Sequence, residues 1–292
     1  MNHKSGFVNI LGNPNVGKST IMNALVGEKL SIITSKAQTT RHRIMGIVNG
    51  EDFQIVYSDT PGILKPKYKL QESMMSFVDM ALTDADIILY VTDVKEEFRD
   101  DTGYTLKIRE AGIPVIVAVN KIDLSNQTEL EIVTSSWKVM FPGSPVIPVS
   151  GLKKFNLDTL LNAITSMLPD GEPYFPKDQL TDKYERFFAS EIIREKILMN
   201  YQKEIPYCSE VEIESFQDEQ KIIRIRALIH VARDSQKGII IGHKGEKLKK
   251  TGREARLDME DFFGKKVFLE MYVKVTKDWR EKPLILKRFG YR

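Results

Sequence analysis

The sequence has 292 residues, of which 42% are hydrophobic and 28% are charged, and its formal net charge is +3. This size and composition predict about two ordinary soluble domains, and no apolar run approaches the roughly 18 residues that a membrane-spanning helix needs. The first residues show no signal-peptide pattern, and the single cysteine, Cys208, excludes an internal disulfide. We therefore expect a protein of the reducing cytoplasm.

Positive charge is concentrated in the C-terminal third of the chain. Residues 184–292 include 24 basic and 18 acidic side chains, a net charge of +6, whereas the preceding part has a net charge of −3. A basic surface attracts polyanions. The C-terminal part is therefore expected to bind a polyanion, with a merely solvated basic face as the alternative.

Short apolar runs alternate with helical patterns over residues 1–170. The predicted strands are 7–11, 43–48, 53–58, 87–92, 115–120 and 146–149, and the predicted helices are 19–26, 68–82, 104–111, 129–140 and 157–167. This alternation predicts an α/β domain with a mostly parallel sheet and helices on both faces. The second and third strands are joined through Asn49-Gly50 and are expected to form an antiparallel hairpin.

The stretch after the first strand matches the pattern GxxxxGK[ST]. A strand precedes it and a helix follows, which is the context that a phosphate-binding loop requires. Backbone N–H groups of such a loop bind phosphate oxygens, the lysine reaches the β- and γ-phosphates, and the serine hydroxyl binds Mg²⁺. The predicted nucleotide contacts in this loop are Gly12, Asn13, Pro14, Asn15, Val16, Gly17, Lys18, Ser19 and Thr20.

Two further loops could hold the metal and sense the γ-phosphate. Asp59-Thr60-Pro61-Gly62 follows a strand, so the carboxylate can hold Mg²⁺ through a water and the Gly62 amide can meet the γ-phosphate. In the loop 35–41, Thr40 is the first candidate for a threonine that binds both groups, and Thr39 is the second. Loss of the γ-phosphate would release this loop, as in a molecular switch. The predicted catalytic residues are Lys18, Thr40 and Gly62, and the predicted metal-binding residues are Ser19, Thr40, Asp59 and Asn15.

The loops after the last two strands could recognise the base. Asp123 can accept hydrogen bonds from guanine N1–H and the 2-amino group, and adenine lacks this pair of donors, so we expect GTP and GDP to be preferred over ATP. Asn120 can contact the base and tie its loop to the phosphate loop, and the Lys121 stem can lie on the ring. The predicted contacts outside the phosphate loop are Asp59, Thr60, Pro61, Gly62, Ile63, Asn120, Lys121, Asp123, Ser150 and Gly151.

These segments, in this order, resemble the five motifs of the translation-factor-related GTPases, and the resemblance implies GTP hydrolysis. One departure concerns the position after Gly62, where the Ras family has a glutamine that orients the attacking water and this chain has Ile63. Isoleucine cannot hydrogen-bond water, so the chain resembles the hydrophobic-substituted GTPases and we expect slow intrinsic hydrolysis. Asn15 lies where related GTPases use an asparagine to coordinate K⁺. A role as a turn residue is the alternative.

A break in the pattern separates the two predicted domains, at residues 1–170 and 184–292. Residues 171–183 are predicted as a linker because Gly171, Pro173 and Pro176 lie among polar residues. Beyond it the sequence predicts a helix at 184–201, strands at 207–216 and 221–231, two helices separated by Gly242–Gly245, and a strand at 267–276.

The segment Gly242-His243-Lys244-Gly245 is a GxxG loop between two helical stretches. Seven basic and two acidic residues lie between Lys237 and Arg256. This order of elements resembles a KH domain of the second topological type, whose GxxG loop clamps about four nucleotides of single-stranded nucleic acid. The predicted RNA contacts are Ile239, Ile241, Gly242, His243, Lys244, Gly245, Lys247, Lys249 and Lys250. Some of the aromatic residues among the basic residues of 265–292 could extend this surface, or could belong to the core.

Taken together, the two parts resemble the Era-type family of bacterial GTPases. The resemblance implies a monomer that binds GTP or GDP with Mg²⁺, recognises the 3′ end of 16S rRNA, and associates with the 30S subunit during ribosome assembly and loosely with the inner face of the cell membrane. Two alternatives stay open: an enzyme whose C-terminal module only docks proteins, and a membrane-associated signalling GTPase.

Overall fold

The computed structural model describes residues 3–96 and 102–291. The chain divides into two compact units, Met1–Lys67 with Gln71–Asp182, and Tyr68–Leu70 with Lys183–Arg292. None of the helices in the described ranges is long and apolar enough to cross a bilayer.

The first unit is built on a six-stranded sheet in the order β2-β3-β1-β4-β5-β6. Strand β2 is antiparallel to β3, and the other neighbours are parallel, so both the parallel sheet and the hairpin predicted from the sequence are confirmed. The elements are β1 (Lys4–Leu11), α1 (Lys18–Val26), β2 (Ile44–Asn49), β3 (Phe53–Asp59), α2 (Lys69–Thr83), β4 (Ile87–Asp93), α3 (Tyr104–Glu110), β5 (Val115–Asn120), α4 (Gln127–Met140), β6 (Val146–Pro148) and α5 (Leu157–Met167).

The central strands form the core of this unit. Every residue of β5, and all of β4 except Asp93, is buried, as expected for parallel strands covered on both faces. Because β1, β4 and β5 run parallel, the loops that follow them open at the same end of the sheet. This arrangement brings the phosphate loop, which follows β1, next to the loops after β3 and β5.

The segment predicted as a linker belongs to the first compact unit as far as Asp182, and residues 177–182 lie along β2. The Ile47 amide donates to the Leu180 carbonyl at 2.8 Å, and Thr181 Oγ1 donates to the Met45 carbonyl at 2.7 Å. The fully buried side chain of Gln54 bonds both backbone groups of Phe175, at 2.8 and 3.0 Å. Residues 175–181 are thus held by hydrogen bonds that composition alone does not reveal.

The second unit packs helices on a three-stranded sheet in the order β7-β8-β9, with β7 and β8 antiparallel and β8 and β9 parallel. The predicted order of helix, two strands, helix, GxxG loop, helix and strand is confirmed. Two short helices, α7 and α10, were not predicted. The elements are α6 (Glu185–Asn200), α7 (Ile205–Cys208), β7 (Ser209–Asp218), β8 (Ile222–Val231), α8 (Asp234–Ile241), α9 (Glu246–Phe263), β9 (Lys266–Val275) and α10 (Pro283–Arg288).

Candidate functional sites

The phosphate loop depends on two glycines that no other residue could replace without distortion. Gly12 has φ +147°, and a Cβ added there would lie 2.1 Å from the Val91 carbonyl oxygen. Gly17 has φ +98°, and a Cβ there would lie 2.2 Å from Asn120 Nδ2. Only glycine combines these left-handed dihedrals with so close an approach. The loop can therefore turn directly from β1 into α1, which leaves the helix N-terminus open to an anion.

Lys18 is buried beneath this loop. Its Nζ donates to the Gly12 carbonyl at 3.0 Å and to the Asn13 carbonyl at 2.8 Å. Burial lowers the pKa of Lys18 to about 8, although the charges of Asp59 and Glu96 oppose this effect. Glu96 also contacts the loop, because its carboxylate accepts hydrogen bonds from the Asn13 side chain and from Thr92 Oγ1. The lysine thus places a cation among the loop carbonyls, where phosphate oxygens would stabilise its charged form.

Three oxygen-bearing side chains converge beside Lys18. Ser19 Oγ donates to Asp59 Oδ2 at 2.6 Å and lies 3.0 Å from Thr40 Oγ1, which donates to the same carboxylate oxygen at 3.3 Å. Asp59 is fully buried, burial raises its pKa, and its Oδ1 has no hydrogen-bond partner among the described residues. A divalent cation with its waters would compensate this buried carboxylate, so the three residues fit Mg²⁺.

The geometry distinguishes the two threonines of the preceding loop. Thr39 Oγ1 donates to the Lys36 carbonyl at 2.6 Å and lies 2.7 Å from Thr34 Oγ1, so this hydroxyl is engaged within its own loop. Thr40 instead reaches Ser19 and Asp59. Thr40 therefore fits the metal better than Thr39 does.

Asn120 ties the loops of the base site together. Its Nδ2 donates to the Val16 carbonyl at 2.8 Å, and its Oδ1 accepts a hydrogen bond from the Gly151 amide at 2.9 Å. The link to the phosphate loop predicted from the sequence is thus present. The neighbouring Lys121 donates to the Asn15 carbonyl and to Asp93 Oδ2, both at 2.6 Å.

Asp123 is exposed, and its Oδ1 accepts a hydrogen bond from Ser150 Oγ at 2.5 Å. A cavity of about 400 Å³ opens between this carboxylate and the phosphate loop. Its lining includes these predicted residues: Pro14, Asn15, Gly17, Lys18, Ser19, Thr20, Thr39, Thr40, Gly62, Asn120, Lys121 and Asp123. The cavity therefore joins the predicted phosphate, metal and base contacts.

The sequence analysis missed apolar parts of this lining. Ile32, Ile33, Leu124 and Leu152 also line the cavity, and Leu124 and Leu152 are 56% and 74% exposed. Such walls suit the flat faces of a purine. For Leu124 and Leu152, the position directly after Asp123 or Gly151 is a signal in the sequence that could have identified them, whereas no motif marks Ile32 and Ile33.

Several predicted residues lie behind the lining rather than in it. Thr60 Oγ1 donates to the Ile10 carbonyl at 2.7 Å, and Ile63 is 3% exposed, with its amide donating to the Gly12 carbonyl at 3.1 Å. These residues support the loop from the protein side. The other predicted nucleotide contacts outside the lining are Gly12, Asn13, Val16, Asp59, Pro61, Ser150 and Gly151.

The GxxG loop of the second unit turns sharply between α8 and α9. Gly242 and Gly245 have φ +72° and +80°, and Lys244 between them has φ +48°. Ile239 is 43% exposed, and Ile241 and both glycines are half-buried. The polar candidates His243, Lys244, Lys247, Lys249 and Lys250 are all exposed. The candidate RNA contacts thus occupy the end of α8, the GxxG loop and the start of α9.

The aromatic residues near the C-terminus divide into two groups. Tyr272 is half exposed and lies 6.0 Å from the guanidinium of Arg226. Trp279 and Tyr291 are buried, and Phe289 packs on Trp279 at 5.7 Å between ring centroids. Of these side chains, Tyr272 is the one that is exposed to solvent, whereas the others belong to the packing of the unit.

Comparison with known proteins covers both units. A family model described as 50S ribosome-binding GTPase matches residues 7–121, and one described as KH domain matches residues 204–280. The chain is 44% identical to the GTPase Era of Syntrophus aciditrophicus (strain SB), over 99% of this chain and 95% of that protein. It is also 44% identical to the GTPase Era of Alkaliphilus metalliredigens (strain QYMF), over the full length of both.

Two solved structures resemble the whole chain. One is Era in complex with MgGDPNP and nucleotides 1506–1542 of 16S ribosomal RNA, with a TM-score of 0.95, 40% identity and 99% of each chain covered. The other is a variant of Aquifex aeolicus Era bound to GDP and AlF4⁻, with a TM-score of 0.94, 41% identity and the same coverage.

Proposed function

The chain belongs to the Era family of GTPases, and we propose that it uses GTP binding and hydrolysis to control how it binds the 3′ region of 16S rRNA during assembly and rRNA maturation of the 30S ribosomal subunit. The observation that carries this proposal is the cavity onto which Lys18, Ser19, Thr40 and Asp123 all open. One site can therefore bind the phosphates, the metal and the base of a single nucleotide.

In this proposal GTP binds with Mg²⁺. Ser19 and Thr40, whose hydroxyl groups contact the buried carboxylate of Asp59, would hold the metal, and Asp59 would hold it through a water. Lys18 binds the β- and γ-phosphates, and the Gly62 amide meets the γ-phosphate. The bound metal supplies positive charge that offsets the charge developing on the phosphate oxygens during hydrolysis.

Intrinsic hydrolysis is slow because the side chain after Gly62 cannot orient water. Ile63 is apolar and buried, so the chain lacks a hydrogen-bonding group at that position. We propose that K⁺, held in part by Asn15, stimulates the reaction by neutralising charge between the β- and γ-phosphates. Single-turnover rates in equal concentrations of K⁺ and Na⁺ test this, with Asn15→Ala as the variant. Equal wild-type rates in the two salts would exclude the K⁺ site.

RNA binds at the GxxG loop. The exposed lysines at 244, 247, 249 and 250 neutralise phosphates, and the close backbone approach that Gly242 allows brings the loop to the RNA chain. The γ-phosphate orders the loop around Thr40, and we propose that this ordering changes the affinity of the second unit for RNA. The free energy of this coupling is the difference in RNA affinity between the GTP-bound and GDP-bound protein.

The deciding experiment measures binding of a labelled RNA with the sequence of the 16S 3′ region, with a GTP analogue and with GDP. Gly242→Asp adds a bulky anion within the loop, where even an added Cβ would lie 2.8 Å from Lys247 Cβ, so affinity should fall at least tenfold. Gly264→Asp is the matched control, since Gly264 also has positive φ but lies in open space at the end of α9. Equal losses in the two variants, or equal affinities with both nucleotides, would contradict the proposal.

We further propose a monomeric cytoplasmic protein that associates loosely with the inner face of the cell membrane. Co-sedimentation with vesicles that contain anionic lipids, set beside co-sedimentation with 30S subunits, separates this role from ribosome binding. Capture by vesicles alone would favour a membrane-associated signalling GTPase instead.

A further inference from the structure

A buried tyrosine contacts both helices that flank the GxxG loop. Tyr201 caps the end of α6 and is 2% exposed. Its hydroxyl donates to the Ile240 carbonyl at 2.7 Å and accepts a hydrogen bond from Thr251 Oγ1 at 3.3 Å. Ile240 lies in the last turn of α8, two residues before Gly242, and Thr251 lies in α9. A single oxygen atom therefore links the helix that enters the loop to the helix that leaves it.

The contact with Ile240 satisfies a group that the helix cannot satisfy itself. The last four carbonyls of an α-helix have no partner within the helix, and α8 ends at Ile241. Burial raises the pKa of the Tyr201 hydroxyl, so the group stays protonated and able to donate. With the proton committed to Ile240, the oxygen is left to accept from Thr251, which is fully buried.

The neighbouring residue strengthens the hold on α9. Asn200 Nδ2 donates to Glu254 Oε2 at 2.6 Å and lies 3.4 Å from Thr251 Oγ1. Glu254 in turn lies 3.8 Å from Lys250 Nζ, one of the candidate RNA contacts. The end of α6 thus contacts the first half of α9 through two adjacent side chains.

We propose that Tyr201 is a positioning residue for RNA binding, which sets the distance and direction between α8 and α9 and so fixes how the backbone of residues 242–245 faces RNA phosphates. This proposal rests on the proposed function. The loop needs such support because Gly242 and Lys244 are held at φ +72° and +48°, and because hydrogen bonds to phosphate weaken when the heavy-atom distance leaves about 2.7–3.2 Å.

The primary variant is Tyr201→Phe, which keeps the ring and removes only the hydroxyl. The substitution removes both the bond to the Ile240 carbonyl and the bond from Thr251. We expect the affinity for a single-stranded RNA of the 16S 3′ region to fall about three- to tenfold, or about 1 kcal/mol. Thr251→Val removes the second partner with little change in shape and should give a smaller loss. Tyr291→Phe is the matched control: that tyrosine is 1% exposed in the same unit, and its hydroxyl donates to Glu210 at 2.6 Å. It should leave RNA affinity unchanged.

Two readouts separate positioning from a general effect on stability. In free protein, hydrogen exchange of the amides at 242–246 should speed up in Tyr201→Phe and not in Tyr291→Phe, even when urea unfolding shows similar stability losses. In a Gly242→Asp background, Tyr201→Phe should cause little further loss of RNA affinity, because its effect passes through the loop. Unchanged loop exchange, or a full additional loss in that background, would overturn the proposal. If wild-type protein binds no RNA, the proposed function fails, whereas the exchange experiment still tests the positioning.

Discussion

Replacing Asp123 should remove the preference of this GTPase for guanine. Asp123 is exposed, and Ser150 Oγ holds one of its oxygens at 2.5 Å. In Asp123→Ala the base loses two hydrogen bonds to a charged acceptor, each contributing about 1.5–3 kcal/mol. Because Asp123 is exposed and water can reach the base beside it, we take the lower end of this range for each hydrogen bond. The expected loss is about 3 kcal/mol, or roughly 150-fold in affinity.

Calorimetric titration with GDP and Mg²⁺ measures this loss, and Asp158→Ala, which removes an exposed carboxylate from the first turn of α5, is the control. Asp123→Asn gives a sharper test. Its amide group can donate to the 2-oxo group of xanthine, which replaces the 2-amino group of guanine, so this variant should prefer xanthosine diphosphate over GDP. If it retains wild-type affinity for GDP and gains none for the xanthine nucleotide, the assignment of the base contact is wrong.

Three further predictions concern residues that support the fold of the two units. Gly17→Ala should abolish GDP binding, because the new Cβ would lie 2.2 Å from Asn120 Nδ2. Gly27→Ala is the control: this glycine has φ +86° and lies in open space at the other end of α1, so the substitution should cost only about 1 kcal/mol of stability. Burial lowers the pKa of His230, although Glu212 opposes this effect, so the unfolded chain binds a proton at this residue more readily than the folded chain does. The stability of the second unit should therefore fall as the pH drops below about 6.5. Urea midpoints measured at pH 7.5 and 5.5 should show this fall, and the fall should be smaller in His230→Gln. Gln54→Ala should leave the backbone of Phe175 without its two partners and speed hydrogen exchange at residues 175–181, and unchanged exchange there would contradict the role of Gln54.

The elements that the sequence predicts well are those whose signal is local. The apolar runs of β4 and β5 are central strands because nearly every residue in them is buried, and the Asn49-Gly50 turn specifies its hairpin within a few residues. The glycines of the phosphate loop are recognisable because the motif requires them at fixed spacing. Local patterns therefore account for the sheet, for its order of helices and for most of the candidate nucleotide contacts.

The features that the sequence does not reveal depend on distant contacts. The α7 helix has four residues, and the carbonyl of Cys208 at its end accepts a hydrogen bond from Trp279 Nε1 at 3.0 Å, so its place depends on a residue 71 positions away. Leu152 follows a recognised motif, yet no periodicity marks it as part of a cavity wall. The path of residues 175–181 depends on Gln54, whose partners lie far along the chain.

The contact between residues 175–181 and β2 also bears on how the molecule behaves at high concentration. Strand β2 is at the margin of its sheet, where unpaired backbone groups would otherwise invite a strand from another molecule. Here the Leu180 carbonyl accepts a hydrogen bond from the Ile47 amide of β2. Residues 175–181 thus also shield part of this sheet edge from strand addition by another molecule, so shortening the segment should promote aggregation.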